Sequence, residues 1–165
     1  IDQAQAQYDV AKKTILENNG KRILYISGKK NGYVTQKRLQ GMKTLAQELD
    51  LSLFVRCGDF SELMARNLTL RYAEKKDIVV CASDIMAIGA MKALIYMDIF
   101  RPVCGFDGIM LMGYVGKQMN TIRQNFAKIS AQAISELHSL LGGEQGRAIL
   151  LEHEIVQLHY EDIIC

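Results

Sequence analysis

Apolar positions along the chain follow two periods, which predict helices alternating with strands. The three- and four-residue spacing of an amphipathic helix runs through about residues 3–19, 35–49, 62–75 and 84–97. Between these segments lie short apolar runs that are typical of buried strands, namely RILYIS, LSLFV and DIVVC. This alternation predicts an α/β fold, with an open and mostly parallel sheet flanked by helices.

The second half of the chain continues this pattern less regularly. Pro102 begins a further predicted strand, PVCGF, at a position where a missing N–H is tolerated. Residues 109–119 show no clear period, and MNTIRQ after them predicts a short strand. Helical spacing returns at residues 126–140, and two short strands are predicted at about 149–151 and 155–159.

Composition and charge narrow the class of protein. The 165 residues suit one domain or a piece of a larger protein, and the opening IDQAQAQYDVAKK resembles the middle of a chain. A formal net charge of +2 argues against direct nucleic-acid binding by these residues. No apolar run approaches the ~20 residues of a membrane span, and the first residues lack a signal-peptide pattern. We therefore expect a soluble, cytoplasmic protein with no membrane partner.

Cysteine and histidine positions give no support for a metal site or a cofactor. The four cysteines are widely spaced without a CxxC pair, and all three histidines lie in the C-terminal part. We expect reduced, buried thiols. The sequence also lacks GxGxxG after a strand, GxxxxGK[ST], GxSxG and HExxH, so binding is favoured over catalysis and no enzyme is predicted.

Polar and aromatic residues follow the predicted strands at the points where those strands end. In an open parallel sheet these ends share one edge, and ligands bind in the crevice beside it. Arg38 lies after the first strand, Phe60 follows the second, Ser83 and Asp84 follow the third, and Asp107 follows the fourth. We therefore expect these side chains to line a single recess.

Each of these residues has both a functional and a structural interpretation. Asp107 could accept hydrogen bonds from two hydroxyls, as a sugar requires, whereas Asp84 could instead cap the next helix. Phe60 could stack on a sugar ring or belong to the core. Arg38 could close over ligand oxygens or be a solvated helix charge. Alternatively, Asp84 and Asp107 could be the acid and base of a small enzyme, which requires carboxyls within ~5–10 Å in a closed pocket.

Five segments occur in a recognisable order: KRLQGM, GDFSE, CASDIMAIGAMKAL, GFDG and NTIRQ. Together they resemble the effector-binding core of the LacI/GalR family of bacterial transcriptional repressors, over about residues 2–160. The resemblance implies a helix-turn-helix headpiece that binds operator DNA, a hinge, and a two-subdomain effector domain that binds a sugar or sugar derivative and forms a homodimer. The headpiece and the first βαβ units of the N-terminal subdomain would lie outside this chain.

The resemblance also implies which residues bind the effector. By position in the matching motifs they are Arg38, Phe60, Ser83, Asp84, Asp107 and Gln124. The helix that begins at Asp84 and the loop after Asp107 resemble parts of the family's dimer interface. No metal ligand is implied.

The resemblance further predicts a division of the chain. The C-terminal subdomain would take about residues 21–119 and 148–160, whereas residues 1–20 and 120–147 would pack on the N-terminal subdomain. We therefore expect the first and last helices to pack on each other, to pack on a neighbouring chain, or to remain poorly ordered. A sugar-binding protein of a transport system shares this fold and remains an alternative.

Overall fold

The computed structural model describes residues 1–109 and 119–158. In these ranges helices and strands alternate as the apolar pattern predicts. The elements are α1 Gln3–Asn18, β1 Arg22–Ser27, α2 Tyr33–Glu48, β2 Ser52–Cys57, α3 Glu62–Tyr72, β3 Ile78–Cys81, α4 Asp84–Tyr96, β4 Val103–Cys104, β5 Met119–Arg123, α5 Phe126–Leu141 and β6 Glu154–Leu158. A single 3-10 turn, Ala73–Lys75, extends α3.

The strands of the described chain form one sheet in the order β2-β1-β3-β4-β5-β6. Neighbouring strands are parallel except β5 and β6, which run antiparallel. Strands β1 and β3 are buried nearly throughout because helices cover both faces, which explains their uninterrupted apolar sequences. The prediction of an open, mostly parallel α/β sheet is confirmed.

Two predicted strands differ in the structure. Strand β4 is shorter than PVCGF and contains only Val103–Cys104. Residues 149–151 form no strand. Strand β6 pairs with β5 along its whole length, from Met119 opposite Leu158 to Arg123 opposite Glu154. This side of β5 is therefore fully paired. The irregular segment predicted at 109–119 lies almost entirely outside the described residues.

The helices pack in two close pairs, α1 with α2 and α3 with α4. Glycine permits both approaches. A Cβ on Gly41 of α2 would lie 2.1 Å from the carbonyl oxygen of Ala4, and one on Gly89 of α4 would lie 2.1 Å from that of Glu62. Any larger residue at either position would therefore push the two backbones apart.

Helices α1 and α5 differ in burial, although the sequence predicted the same packing alternatives for both. The inward residues Ala6, Val10 and Ala11 of α1 are fully buried, and α1 packs on α2, β4 and β5. Helix α5 has no buried residue, and its Phe126 and Leu140 are exposed. The predicted alternatives for α1 were packing on α5, packing on a neighbouring chain or poor order. The structure shows none of them, because the sheet extends through β5 and covers the inner face of this helix. The division into subdomains stays a prediction.

The described residues provide neither a membrane span nor a metal cluster. None of their helices is both long enough and apolar enough to cross a bilayer. No group of three or more histidine, cysteine, aspartate or glutamate side chains in residues 1–109 and 119–158 is arranged to hold a metal ion.

Candidate functional site

The carboxyl ends of the parallel strands form one edge of the sheet, which we call the rim. Its segments are residues 27–28 after β1, 57–60 after β2, 82–84 after β3, 105–107 after β4 and 123–124 after β5. The strand order places the exits of β1, β3, β4 and β5 side by side. Every residue that the sequence predicts as a ligand contact lies on this rim or on a helix beginning beside it.

Arg38 reaches the rim from α2 and is almost fully buried. Its Nε donates to Oε1 of Gln3 at 2.9 Å, and its Nη1 donates to the carbonyl oxygen of Ala82. The guanidinium lies over the ring of Phe106, 3.5 Å from the ring centroid. These contacts hold the guanidinium in one orientation, so Arg38 is not the solvated helix charge that remained as an alternative.

Asp107 meets this arginine at the exit of β4. Its Oδ1 lies 3.5 Å from Nη2 of Arg38 and accepts a hydrogen bond of 3.1 Å from Nε2 of Gln124. The side chain stays 27 % exposed, so the carboxylate can still be reached from outside. Burial raises the pKa of Asp107, although the charge of Arg38 acts in the opposite direction.

The backbone at Asp107 is strained. Its φ is 127°, a value that side-chain-bearing residues rarely adopt. A backbone bond from its N–H to the carbonyl of Ile122, at 3.0 Å, and a bridge to Arg123 hold it there. Strain that the surroundings enforce at one residue is typical of a functional position, because it fixes where the side chain points.

Phe60 lies at the exit of β2, on a turn with left-handed backbone at both Asp59 and Phe60. The N–H of Gly58 donates to the carbonyl of Ser27 at 2.7 Å, which ties this turn to β1. The ring lies against Gly28, where a Cβ would be only 2.1 Å from Cζ of Phe60. Because 38 % of Phe60 stays exposed, it is an accessible aromatic surface rather than a core residue.

Asp84 lies beneath the rim and is fully buried. Its Oδ1 accepts from the hydroxyl of Thr121 at 2.7 Å, and its Oδ2 accepts from the N–H of Ile109 at 2.9 Å. Close packing requires glycine at position 105, where a Cβ would lie 2.2 Å from Oδ1 of Asp84. Burial raises the pKa of Asp84 to about 6, against the hydrogen bonds that favour the charged form.

This geometry gives Asp84 a supporting position. Its own N–H donates to the carbonyl of Phe106 at 2.7 Å, so Asp84 fixes the segments on both sides of Asp107. The cap of α4 is Ser83, whose hydroxyl accepts from the N–H of Met86 at 3.4 Å. With both oxygens engaged in the core, Asp84 is poorly placed for direct ligand contact or for the acid–base role considered above.

The structure therefore joins three of the six predicted residues, Arg38, Asp107 and Gln124, into one contact cluster. Phe60 lies on the neighbouring exits of β2 and β1, whereas Ser83 and Asp84 lie below as a helix cap and a buried brace. Sequence reasoning assigned no role to the residues that fix this cluster and Asp84, which are Gln3, Phe106 and Thr121. Phe106 and Thr121 lie within the segments GFDG and NTIRQ, but nothing in the local sequence of Gln3 indicates its bond to Arg38.

Comparisons with known proteins bear on what this cluster could bind. No protein-family model matches the chain. The chain is 29% identical over 167 residues to the HTH-type transcriptional repressor PurR of Histophilus somni, covering 94% of this chain and 48% of that protein. It is 29% identical over 136 residues to the ribose operon repressor of Halalkalibacterium halodurans, covering 78% and 41%. The chain thus spans about half the length of the curated relatives it matches.

Solved structures show the same fold at lower identity. A regulatory protein of the LacI family from Chloroflexus aggregans superposes with a TM-score of 0.83 at 21% identity, over 93% of this chain and 59% of that one. A periplasmic solute-binding protein from Actinobacillus succinogenes with bound D-allose superposes with a TM-score of 0.84 at 22% identity, over 99% and 62%. The predicted periplasmic-binding-protein-like architecture is confirmed.

Proposed function

Because the chain is homologous to LacI-family transcriptional repressors over most of its length, we propose that it is the effector-binding and dimerisation region of such a repressor. The observation that carries this proposal is the cluster of Arg38, Asp107 and Gln124 on the rim. A buried arginine fork, a partly open carboxylate and an amide meet there, and an exposed aromatic ring lies farther along the same rim, at the exit of β2. The transport alternative shares the fold, but the curated relatives are repressors.

The chemistry of the cluster suits a sugar or sugar derivative. The carboxylate of Asp107 can accept bonds from two neighbouring hydroxyls, and charge-assisted bonds of this kind are strong. Arg38 presents N–H donors in a fixed orientation, so the entropy of ordering it is lost on folding rather than on binding. Phe60 offers an apolar face on which the C–H side of a sugar ring can stack. Asp84 and Ser83 act from below as positioning residues.

Two further features fit a larger regulatory protein. The apolar side of α5 has no partner among the described residues, and we assign it to the N-terminal subdomain that closes over the rim. Leu63, Met64 and Ile85 are exposed on the paired helices α3 and α4, and we assign this surface to the homodimer. The loop after Asp107, predicted to share that interface, lies outside the described residues.

Regulation would follow from a shift between two arrangements of the subdomains. An effector that binds one arrangement better changes the population of that arrangement and so the spacing of the headpieces on operator DNA. In this proposal the headpieces lie outside these residues. The net charge of only +2 agrees with this, because a surface that binds DNA is usually strongly basic. With a single wall of the crevice, this chain alone should bind effector weakly.

Nuclear magnetic resonance titration of the chain with D-ribose and D-allose tests the proposal. We expect weak but saturable shifts centred on Arg38, Asp107 and Gln124, and their loss in Asp107→Asn, because the variant cannot accept two charge-assisted bonds. Asp77→Asn is the matched control, since Asp77 also pairs with an arginine and is 29% exposed, yet lies at the other end of the sheet. Equal binding by Asp107→Asn, or no shift at the rim for any pentose or hexose, would contradict the proposal.

A further inference from the structure

A cavity of about 620 Å³ lies at the opposite edge of the sheet from the rim. It opens where β4 and β5 begin, between the last turns of α1 and α4. Small-molecule sites in proteins enclose about 300–1,000 Å³, so the cavity is large enough for a compact ligand. It shares no lining residue with the rim cluster, and the function proposed above makes no use of it.

One wall of this cavity is apolar. Met91 and Leu94 line it from the inner face of α4, and Val103 lines it from the start of β4. All three side chains are buried within the fold, so their positions are set by packing rather than by solvent. A hydrocarbon or aromatic body against this wall would remove apolar surface from water.

The other wall is polar and contains an unsatisfied group. Asn120 of β5 is only 4% exposed, and its Nδ2 donates to Oγ1 of Thr14 at 3.0 Å and to Oε2 of Glu17 at 2.8 Å. A carboxylate can only accept, so Glu17 fixes which end of the amide faces it. The amide oxygen Oδ1 is buried without any hydrogen-bond partner. Because this oxygen has almost no accessible surface, a molecule in the cavity reaches the carboxylate of Glu17 rather than the amide oxygen.

The electrostatics of the cavity favour a donor that carries positive charge. The carboxylate of Glu17 lies on the lining, and α1 and α4 both present their C-terminal ends there, which carry partial negative charge. Lys13 approaches Glu17 only to 3.9 Å, and both side chains are substantially exposed. Arg101 also lies on the lining, but its bonds to the backbone carbonyls of Lys76 and Glu74 direct its guanidinium toward β3, on the other side of β4 from Glu17, which bonds to Asn120 of β5.

From these observations we propose that the cavity is a second small-molecule site, which binds an amine carried on a compact apolar body. The ammonium group lies beside the carboxylate of Glu17, which the side-chain amide of Asn120 holds in place. The body packs on Met91, Leu94 and Val103. Because Asn120 and Gln124 belong to one continuous segment that starts with β5, the two sites lie at opposite ends of a shared strand.

Titration of the isotope-labelled chain with 2-phenylethylamine, and separately with 3-phenylpropionate, tests this site. We expect saturable shifts of the Met91 and Leu94 methyl groups and of the Asn120 side-chain amide with the amine. The carboxylate ligand, of similar size and opposite charge, should bind much more weakly because it meets Glu17 and two helix C-termini.

Two variants separate specific binding from loss of folding. Glu17→Gln keeps an acceptor for Asn120 and removes only the charge, and it should weaken amine binding by about 2- to 5-fold. Glu48→Gln is its matched control, because Glu48 is similarly exposed but lies outside the cavity lining. Asn120→Leu removes the donor that orients Glu17 and should weaken binding by about 2- to 10-fold.

The same titration can overturn the proposal. Amine-induced shifts at the rim cluster instead of Met91 and Leu94 would do so, and so would the absence of saturable shifts. Equal affinity for the carboxylate ligand, or unchanged amine affinity in Glu17→Gln, would show that the assigned charge recognition is wrong. Since the probes contain no sugar, failure here leaves the proposed effector site on the rim untouched.

Discussion

Two arginine–aspartate pairs lie at opposite ends of the sheet, and their aspartates are similarly exposed but differ in their hydrogen bonds. We call Arg22 and Asp77, which lie at the edge of the sheet opposite the rim, the edge pair. Asp77 accepts from Nη2 of Arg22 at 2.6 Å, from Nε of Arg22 at 3.1 Å, and from the backbone N–H groups of Lys21 and Arg22. In the rim pair, Asp107 lies 3.5 Å from Nη2 of Arg38 and accepts one side-chain bond, from Gln124.

The electrostatic consequences are opposite. Hydrogen bonds from Arg22 hold the pKa of Asp77 well below its usual range, whereas burial raises the pKa of Asp107. Arg22 is mostly exposed and Arg38 is buried. The edge pair is therefore a satisfied tie between two chain segments, and the rim pair is an incompletely satisfied arrangement that a ligand can complete. What distinguishes a candidate site is the unfilled bonding capacity, not the presence of an ion pair.

The largest expected effect comes from removing each arginine in turn. Arg38→Leu should lower the free energy of unfolding by about 3 kcal/mol, because it leaves the carboxylate of Asp107 and the carbonyl of Ala82 without their buried partner. Arg22→Leu, the control, should cost less because Asp77 keeps two backbone donors and solvent access. Urea unfolding near neutral pH measures both variants, and equal losses would contradict the contrast between the pairs.

A smaller effect on the free energy of unfolding is expected from pH, through the buried carboxyl of Asp84 beneath the rim. The folded chain holds the pKa of Asp84 at about 6, above its ordinary value of 3.8. Between these values the folded state binds more protons than the unfolded state, so the free energy of unfolding falls as pH rises through this window. A shift of this size corresponds to about 3 kcal/mol.

Asp84→Asn should flatten that fall, because the variant lacks the buried carboxyl that binds the extra proton. Unfolding free energies compared at pH about 4.5 and about 6.5 measure it. Asp77→Asn serves as the control. The lowered pKa of Asp77 stabilises the fold at pH values above the ordinary pKa of 3.8, and this stabilisation is lost only as the pH falls below 3.8. The argument fails if Asp84→Asn keeps the full slope of the wild-type chain.

The sequence predicted the α/β order and the first three strands because β1 and β3 are buried on both faces and therefore read as apolar runs. It could not predict the partner of α1. An apolar stripe shows that a helix face is covered but not what covers it, and the extension of the sheet through β5 supplied that cover. The strand predicted at 149–151 is wrong for a similar reason, because no local pattern shows that β6, and not this run, pairs with β5.

At the candidate site, the sequence predicted which residues lie near the strand ends but not the contacts that each side chain makes. Arg38 on a helix reads equally as a solvated charge, and its burial depends on Gln3 and Phe106, which are distant in sequence. Asp84 reads as a rim residue, and only contacts with Thr121 and Gly105 place it in the core. The cluster with Gln124 arises from the pairing of β4 with β5, which no local pattern encodes.

The smallest effect that separates the two pairs concerns the backbone. At φ 127° Asp107 occupies a conformation that glycine adopts freely, so Asp107→Gly should be more stable than Asp107→Ala by about 1 kcal/mol, although both lose the carboxylate. Asp77 is not among the residues with positive φ, so a glycine at this position only increases the entropy of the unfolded state. Asp77→Gly should therefore be less stable than Asp77→Ala by up to about 1 kcal/mol. Urea unfolding of the four variants measures this reversal of sign. If glycine is the less stable choice at both positions, the strain at Asp107 is not stored in its backbone, and the rim pair would differ from the edge pair in electrostatics alone.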